Sequence, residues 1–164
     1  MTVRVRPAAN GDRPAIYAVH LRAVRETCSR SYRPEQIDAW AEVLSPDSYA
    51  AALHKRVLLV AADDGRVIGF GQFDPAAAEI EAVYVLPERQ GQGIGRLLLS
   101  ALEEQARSRR INTVELSATL NAVGFYERAG YSRQRAVTNR TLTGVELDLV
   151  RMAKTLGARR SGAG

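Results

Sequence analysis

A glycine-rich loop between a predicted strand and a predicted helix is the segment of this sequence best suited to hold a ligand. Gly91, Gly93 and Gly95 alternate there, just before an apolar helix that includes Leu98. Glycine lets the backbone approach a ligand closely, and the free N–H groups at a helix N-terminus attract anions. A pyrophosphate would therefore fit on this loop.

Two common phosphate-binding loops do not fit this segment. A Walker loop ends in Gly-Lys-Ser/Thr, whereas Arg96 and Leu97 follow Gly95 here. A dinucleotide-binding fold has Gly-x-Gly-x-x-Gly at the start of a βαβ unit, whereas these glycines alternate midway along the chain. The glycines by themselves leave one alternative open, a tight strand-to-helix connection that binds nothing.

The composition is that of one folded domain. The 164 residues are 46% hydrophobic and 25% charged, which is close to the average for globular proteins. We expect a single domain over residues 1–156 and a flexible tail over 157–164. The one cysteine, Cys28, excludes an intrachain disulfide and a Cys-rich zinc site and suits a reducing compartment, so we expect a cytoplasmic protein. No apolar run approaches the ~20 residues that cross a bilayer, which predicts no membrane association.

The net charge is +5, which favours polyanionic partners. The arginines are scattered along the chain, however, and this pattern is typical of a solvated basic surface. A nucleic-acid binder would need arginines clustered with exposed aromatic residues. That function is therefore a weaker alternative.

Hydrophobic periodicity predicts a mixed α/β fold. The predicted helices cover residues 12 to 27, a segment from residue 34, and residues 46 to 53, 94 to 109 and 120 to 129. The predicted strands cover residues 3 to 7, 57 to 62, 67 to 73, 78 to 86, 113 to 117, 131 to 138 and 145 to 152. This order predicts a twisted mixed β-sheet with helices on both faces.

Three motifs in the correct order resemble the GNAT superfamily of N-acetyltransferases. Gln90-x-x-Gly93-x-Gly95 is similar to that family's acetyl-coenzyme A signature. Upstream, residues 80 to 87 (IEAVYVLP) resemble its fourth strand, and downstream, residues 125 to 131 (FYERAGY) resemble its tyrosine-bearing motif. The N-terminal half is similar to a branch of small bacterial members, so the resemblance covers nearly the whole chain.

The resemblance implies a sheet whose fourth and fifth strands splay apart, with the pantetheine arm of acetyl-coenzyme A between them. A bulge in the fourth strand would leave backbone N–H groups free to hold that arm. The resemblance assigns cofactor binding to two strand valines with the tyrosine between them, to the glycine-rich loop, and to two later residues. These are Val83, Tyr84, Val85, Gln90, Gly91, Gln92, Gly93, Ile94, Gly95, Arg96, Asn121 and Tyr126. No metal is implied.

Acetyl transfer to an amine needs a base for the amine proton and an acid for the departing thiolate. Tyr126 holds the family's tyrosine position, and its ordinary pKa of about 10 lies just above that of a thiol. Glu79 and Glu81 have the same parity on the fourth strand, so both should project to one face. We favour Glu81 as the base, acting directly or through a water molecule. The alternative is that both carboxylates are solvated strand residues.

One departure from the family pattern concerns Asn121. The family often places an asparagine seven residues before the tyrosine, where Thr119 stands here, whereas Asn121 lies five before it. Either residue could serve the cofactor amide, and Asn121 is the one expected as a contact to the cofactor. On the acceptor side, the first two helices offer Tyr17, His20, Tyr32 and Trp40. Tyr32, Trp40 and Glu81 are the expected substrate-binding residues.

The acceptor is left open between a small molecule, a peptide or protein amine, and an aminoacyl-tRNA, because acceptor specificity lies in loops. We expect direct attack of a primary amine on acetyl-coenzyme A in a ternary complex. The alternative is a non-catalytic acyl-coenzyme A sensor that keeps the loop without a productive acceptor site. A homodimer formed through the C-terminal strands is compatible with the sequence.

Overall fold

The computed structural model describes residues 2–140 and 145–157, and this part of the chain contains seven strands and five α-helices. The strands are β1 (Val3–Pro7), β2 (Val57–Asp63), β3 (Arg66–Asp74), β4 (Glu79–Val85), β5 (Thr113–Thr119), β6 (Ser132–Arg140) and β7 (Glu146–Thr155). The helices are α1 (Arg13–Arg22), α2 (Pro34–Glu42), α3 (Ala52–Lys55), α4 (Ile94–Ser108) and α5 (Val123–Arg128). Most of the expected tail, residues 158–164, lies outside the described residues.

All seven strands form one sheet in the order β1-β2-β3-β4-β5-β7-β6. Phe70 of β3 contacts the His20 ring of α1. The next residue, Gly71, faces α4, and Leu102 packs so closely over it that a Cβ atom added there would lie 2.8 Å from the leucine side chain. Successive strand residues point to opposite faces, so α1 and α4 cover opposite sides of the sheet. No helix within the described ranges is long and apolar enough to cross a membrane.

The centre of the sheet is splayed. β4 and β5 are the parallel pair, and they align only at Glu79–Glu115 and Ile80–Leu116. Beyond these residues the two strands diverge, while β4 stays paired with β3 as far as Val85. The expected twisted mixed sheet with helices on both faces and splayed central strands is confirmed.

Arg151 of β7 lies at the point where the splay begins. Its guanidinium is 3.1 Å from a Glu79 carboxylate oxygen and 2.8 Å from Glu115, and it donates to the Ser117 hydroxyl. The two glutamates stand opposite each other in the ladder, so their like charges would repel without this cation. Arg151 therefore ties β4, β5 and β7 together at the vertex of the splay.

The helix predicted over residues 12 to 27 is present as three pieces. α1 ends at Arg22, a π-helical segment follows over Ala23–Thr27, and a short 3-10 turn covers Cys28–Arg30. The Cys28 N–H donates to the Ala23 carbonyl, an i to i+5 bond that defines a π turn. Ala23, Val24 and Cys28 are all buried, and the wider turn places these residues on one face.

One charged side chain is buried among the described residues, that of Glu103 on α4. Its carboxylate accepts a hydrogen bond of 2.8 Å from the Tyr131 hydroxyl and lies 3.1 Å from the Lys154 ammonium of β7. A buried charge is tolerated only when it is paired and hydrogen-bonded. This network therefore ties α4 to the C-terminal half of the sheet.

His20 lies in a cluster of aromatic rings between α1 and the sheet. Its ring centroid is 4.5 Å from that of Tyr84, 5.4 Å from that of Phe70 and 6.1 Å from that of Tyr49. Its Nδ1 is 2.8 Å from the Tyr49 hydroxyl. Burial lowers the pKa of His20 from 6.5 to about 4, so the imidazole is neutral at physiological pH.

Acidification should destabilise the fold through His20. The unfolded chain takes up a proton at this imidazole near pH 6.5, whereas the folded protein does so only near pH 4. The free energy of unfolding therefore falls as the pH drops from 6.5 to about 4 and is unaffected by His20 above that window. We expect this group to account for a loss of about 3 kcal/mol, measured by urea unfolding at a series of pH values.

The chain offers a matched control in its other histidine, His54, which is exposed. His54→Gln should leave the pH dependence of the wild-type protein unchanged, whereas His20→Gln should remove the part that belongs to this window. Identical slopes for the wild type and His20→Gln would refute the assignment.

Lys154→Met should destabilise the protein markedly, because Glu103 would lose its counter-ion inside the core. Removing one partner of a buried ion pair typically costs about 3 kcal/mol or more of unfolding free energy, whereas an exposed pair contributes less than about 1 kcal/mol. Arg140→Met, which breaks the exposed pair with Glu146, is the control. Equal urea midpoints for the two variants would show that the buried pair contributes no more to the free energy of unfolding than the exposed pair does.

Candidate active site

A cleft of about 610 Å³ opens where β4 and β5 diverge. Its walls come from the segment after α1, from β4, from the glycine-rich loop with the first turn of α4, and from the region between β5 and α5. The lining residues are Ala23, Thr27, Cys28, Val83, Tyr84, Val85, Arg89, Gln90, Gly91, Gly93, Ile94, Gly95, Arg96, Thr119, Asn121, Ala122, Phe125 and Arg128.

The glycine-rich loop and the start of α4 form one end of the cleft. Gly91 and Gly93 have φ angles of 76° and 80°, a left-handed conformation that disfavours other residues. Gly93 is the N-cap of α4, so the first N–H groups of a 15-residue helix lack intrahelical partners there. Free N–H groups and the positive end of the helix dipole make this end suitable for an anion.

Three arginines line the same cleft, Arg89, Arg96 and Arg128, and none of the described lining residues is acidic. Arg89 is held by Asp63 at 2.7 Å, and Arg96 donates to the Arg128 carbonyl at 3.2 Å. The cleft therefore combines guanidinium groups with a helix N-terminus, and this arrangement favours a ligand that carries phosphates.

The opposite wall is the edge of β4 that faces β5. Since the β4–β5 ladder ends at Ile80, the stretch from Glu81 to Val85 has no ladder partner on that side among the described residues. Val83, Tyr84 and Val85 all line the cleft. Their free backbone groups could pair with an extended ligand as though it were an added strand.

β4 contains a bulge, as the resemblance implies for the fourth strand. Gln72 faces Ala82 and Phe73 faces Ile80, so the extra residue is Glu81, two positions before Val83. The free N–H groups near Val83 follow from the splay rather than from the bulge. The bulge instead turns Glu81 to the face of Ala82 and Tyr84, where it reaches Gln72.

Both predicted carboxylates lie outside the cleft lining and carry hydrogen bonds. Glu81 accepts from Arg56 Nε at 2.8 Å and from Gln72 Nε2 at 2.9 Å and is exposed to solvent. Glu79 is paired with Arg151 at the vertex of the splay. The two side chains are about equally exposed, 30% for Glu81 and 31% for Glu79.

Tyr126 is buried behind Phe125, which lines the cleft. Its ring packs edge-on against Phe125 and Tyr131, with centroids 5.0 Å and 5.6 Å away. Within the described ranges the Tyr126 hydroxyl has no hydrogen-bond partner, and the oxygen atom is in contact with solvent. Burial raises the pKa of Tyr126 above its usual value, so the hydroxyl keeps its proton at physiological pH.

The remaining predicted residues occupy different surroundings. The Tyr32 hydroxyl donates to the Asp148 carbonyl at 2.6 Å and accepts from the Leu120 N–H at 3.1 Å, so it ties the segment before α2 to the end of β5 and to β7 beside it. Trp40 packs edge-on against Tyr32 and is partly exposed. Gln92 is exposed and accepts a hydrogen bond from Arg89.

Asn121 lines the cleft beside Cys28. Burial raises the pKa of the Cys28 thiol to about 12, although a hydrogen bond with Asn121 opposes part of that shift. The thiol is therefore protonated at physiological pH and unsuited to act as a nucleophile.

Sequence reasoning missed five lining residues with chemical or steric importance: Thr27, Cys28, Arg89, Phe125 and Arg128. Phe125 and Arg128 lie within residues 125 to 131, a motif that is identified from the sequence, and Arg89 directly precedes Gln90 in the loop. The two arginines at these positions could therefore have been predicted as phosphate ligands from the sequence. Nothing in the pattern of residues 23 to 28 indicates that the π-helical segment meets the loop. That contact is visible in the hydrogen bond from Gln90 Nε2 to the Thr27 hydroxyl.

Comparison with known proteins gives a consistent result. The family model for the acetyltransferase (GNAT) domain matches residues 28–156. N-acetyltransferase YafP of Escherichia coli K12 is 31% identical over 129 residues, which cover 79% of this chain and 81% of that protein. An L-methionine sulfoximine/L-methionine sulfone acetyltransferase of Pseudomonas paraeruginosa is 28% identical, with 80% of this chain and 81% of that protein covered.

Solved structures share the fold. A GCN5-related N-acetyltransferase from Rhodopseudomonas palustris superposes with a TM-score of 0.89 at 28% identity, over 95% of this chain and 97% of that one. PaiA N-acetyltransferase from Thermoplasma acidophilum, solved in complex with coenzyme A, has a TM-score of 0.80 at 23% identity, over 95% and 100% of the two chains. Because the family model spans most of the chain and the fold agrees almost from end to end, the protein belongs to the GNAT family of acetyltransferases.

Proposed function

We propose that this protein transfers the acetyl group of acetyl-coenzyme A to a primary amine. The observation that carries the proposal is the cleft between the diverging strands, which joins a free strand edge to a helix N-terminus and three arginines. A ligand that fits all three parts has an extended amide-containing arm and a pyrophosphate. Coenzyme A has this chemistry.

Each part of coenzyme A would contact a different part of the cleft. The backbone of Gln90 to Arg96 and the first turn of α4 would hold the pyrophosphate, with Arg89, Arg96 and Arg128 as cationic partners. The free edge of β4 from Val83 to Val85 would pair with the pantetheine amides. Asn121, which lines the far wall, would contact the same arm.

Acetyl-coenzyme A supplies an activated thioester, and the protein supplies the proton transfers. Tyr126 donates its hydroxyl proton to the departing thiolate, since the buried hydroxyl is protonated and has no competing partner among the described residues. Glu81 accepts the proton of the attacking amine, directly or through water, because the bulge places it on the same face as Tyr84. Backbone N–H groups near Val83 stabilise the oxyanion of the tetrahedral intermediate.

Relatives act on amines of different sizes. One is named for L-methionine sulfoximine and L-methionine sulfone, and a protein of the same fold is named for the alanine of ribosomal protein S18. Both named substrates contain an amine, and the second name specifies N-acetylation, which supports amine acetylation here. A non-catalytic acyl-coenzyme A sensor is the alternative, and it predicts binding without turnover.

Calorimetric titration should give saturable binding of both acetyl-coenzyme A and coenzyme A. Arg96→Gln should weaken the affinity for both ligands by about tenfold or more, because one charge-assisted hydrogen bond to phosphate is lost. Arg109→Gln, at the opposite end of α4, is the matched control and should bind as the wild type does. Absence of binding to a folded wild-type sample would remove the proposed function.

Tyr126→Phe and Glu81→Gln should separate the two proton transfers, with thiol release followed in the presence of a panel of primary amines. Tyr126→Phe should lower kcat by about 100-fold with little change in the KM for acetyl-coenzyme A. Glu81→Gln should lower kcat and remove the acidic limb of the pH–rate profile. Glu127→Gln, which only breaks an exposed pair with Arg133, should behave as the wild type.

Full turnover by folded Tyr126→Phe would exclude the acid role of Tyr126, and an unchanged pH–rate profile in Glu81→Gln would exclude the base role of Glu81. If acetyl-coenzyme A binds while every amine in the panel is left unmodified, the sensor function is the better account.

A further inference from the structure

Beside the cofactor cleft lies an aromatic surface formed by His20, Trp40 and Tyr84. All three side chains are partly exposed. The His20 ring lies 4.5 Å from Tyr84 and meets Trp40 edge-on at 6.4 Å. Behind them, Phe70 and Tyr49 are buried and fix the orientation of the rings. This surface is therefore preformed rather than assembled from flexible loops.

The aromatic surface is continuous with the cleft. Tyr84 belongs to both, since it lines the cleft and packs against His20. The helical segment that carries His20 continues into Ala23 and Thr27, which also line the cleft. A molecule on the aromatic surface would thus approach the end of the cleft where β4 has its free edge.

His20 gives this surface one directed polar group. Nδ1 is engaged by the Tyr49 hydroxyl, while Nε2 has no hydrogen-bond partner within the described ranges and is not sealed from solvent. The groups packed against the imidazole are the titratable Tyr49 and Tyr84 and the rings of Phe70 and Trp40, with no formal charge among them. The neutral state of His20 at physiological pH agrees with these surroundings.

We propose that the His20–Trp40–Tyr84 surface binds the acceptor, and that the acceptor is a small primary amine attached to an aromatic or other apolar group. The inference rests on the proposed function and names its substrate class. His20 Nε2 accepts a hydrogen bond from the neutral amine, with the imidazole proton on Nδ1 and donated to Tyr49. The rings of Trp40 and Tyr84 bind the apolar part of the acceptor.

The chemistry of this surface disfavours an aminoacyl-tRNA as the acceptor. A tRNA needs cationic groups around its acceptor end, whereas the groups packed against His20 are aromatic rings without formal charge. The three partly exposed rings offer apolar contact together with the hydrogen-bond acceptor of His20.

Trp40 is the only tryptophan of the chain, so its fluorescence reports on this surface without labelling. We would titrate the full-length protein with 2-phenylethylamine, ethanolamine and ethylbenzene at about pH 9, where part of the amine is neutral, with and without saturating coenzyme A. We expect a saturable emission change with 2-phenylethylamine, and at least about tenfold weaker binding of the two probes that lack the ring or the amine.

Variants test the role of His20 separately from the integrity of the fold. His20→Phe keeps a ring but removes Nε2, and it should weaken 2-phenylethylamine binding by about tenfold while leaving the binding of ethylbenzene, which has no hydrogen-bond donor, unchanged. Tyr49→Phe, which frees the Nδ1 proton, should produce a smaller loss of the same kind. His20→Gln, whose amide can present an acceptor near the position of Nε2, should recover most of the affinity, and His54→Gln is the control.

The amine titration tests the acceptor assignment, and the coenzyme A titration tests the proposed function, so either can be refuted without the other. Equal affinities for the three probes, or no emission change in a folded sample that binds coenzyme A, would overturn the acceptor assignment and leave acetyl transfer standing. Selective amine binding without coenzyme A binding would support the surface and remove the proposed function.

Discussion

The parallel ladder between β4 and β5 ends after two residue pairs, and the rest of the site depends on that early end. A sheet that continued its pairing would satisfy every backbone group and leave no cleft. β4 stays paired with β3 as far as Val85, whereas its pairing with β5 ends after Ile80. One edge of a central strand is therefore free in the middle of a folded domain. Unpaired backbone groups near a core raise the free energy of the folded state unless a ligand or water binds them. The free edge of β4 is therefore suited to bind a ligand.

The divergence is stabilised on both sides. At its vertex Arg151 neutralises two opposed glutamates and keeps the strands together where the ladder begins. At the far side Tyr32 uses one hydroxyl to bind Asp148 and Leu120, which belong to β7 and to the turn after β5. The buried Glu103–Lys154–Tyr131 network ties α4 to β7 and to the residue just before β6. The cleft is therefore held open by fixed contacts rather than by a mobile loop.

Charge is divided between the two sides of Tyr84. On the cleft side lie three guanidinium groups and a helix N-terminus, which suit phosphates. On the other side lie neutral rings around His20, whose unprotonated imidazole can accept a hydrogen bond from an amine. The proposed reaction requires this division, since its two substrates carry opposite electrostatic character and must meet at one point.

The sequence by itself determined the element order, the glycine-rich loop and the family. These follow from local rules: hydrophobic periodicity, positive φ at Gly91 and Gly93, and a motif whose residues are neighbours in the chain. Only the tertiary structure decided that Arg89 and Arg128 join Arg96, that Glu81 is the bulged residue, and that His20 faces Tyr84. Each of these depends on strand register or on packing between segments far apart in the chain. The π-helical segment after α1 belongs with them, because the hydrogen bond between Gln90 and Thr27 spans 63 residues of sequence.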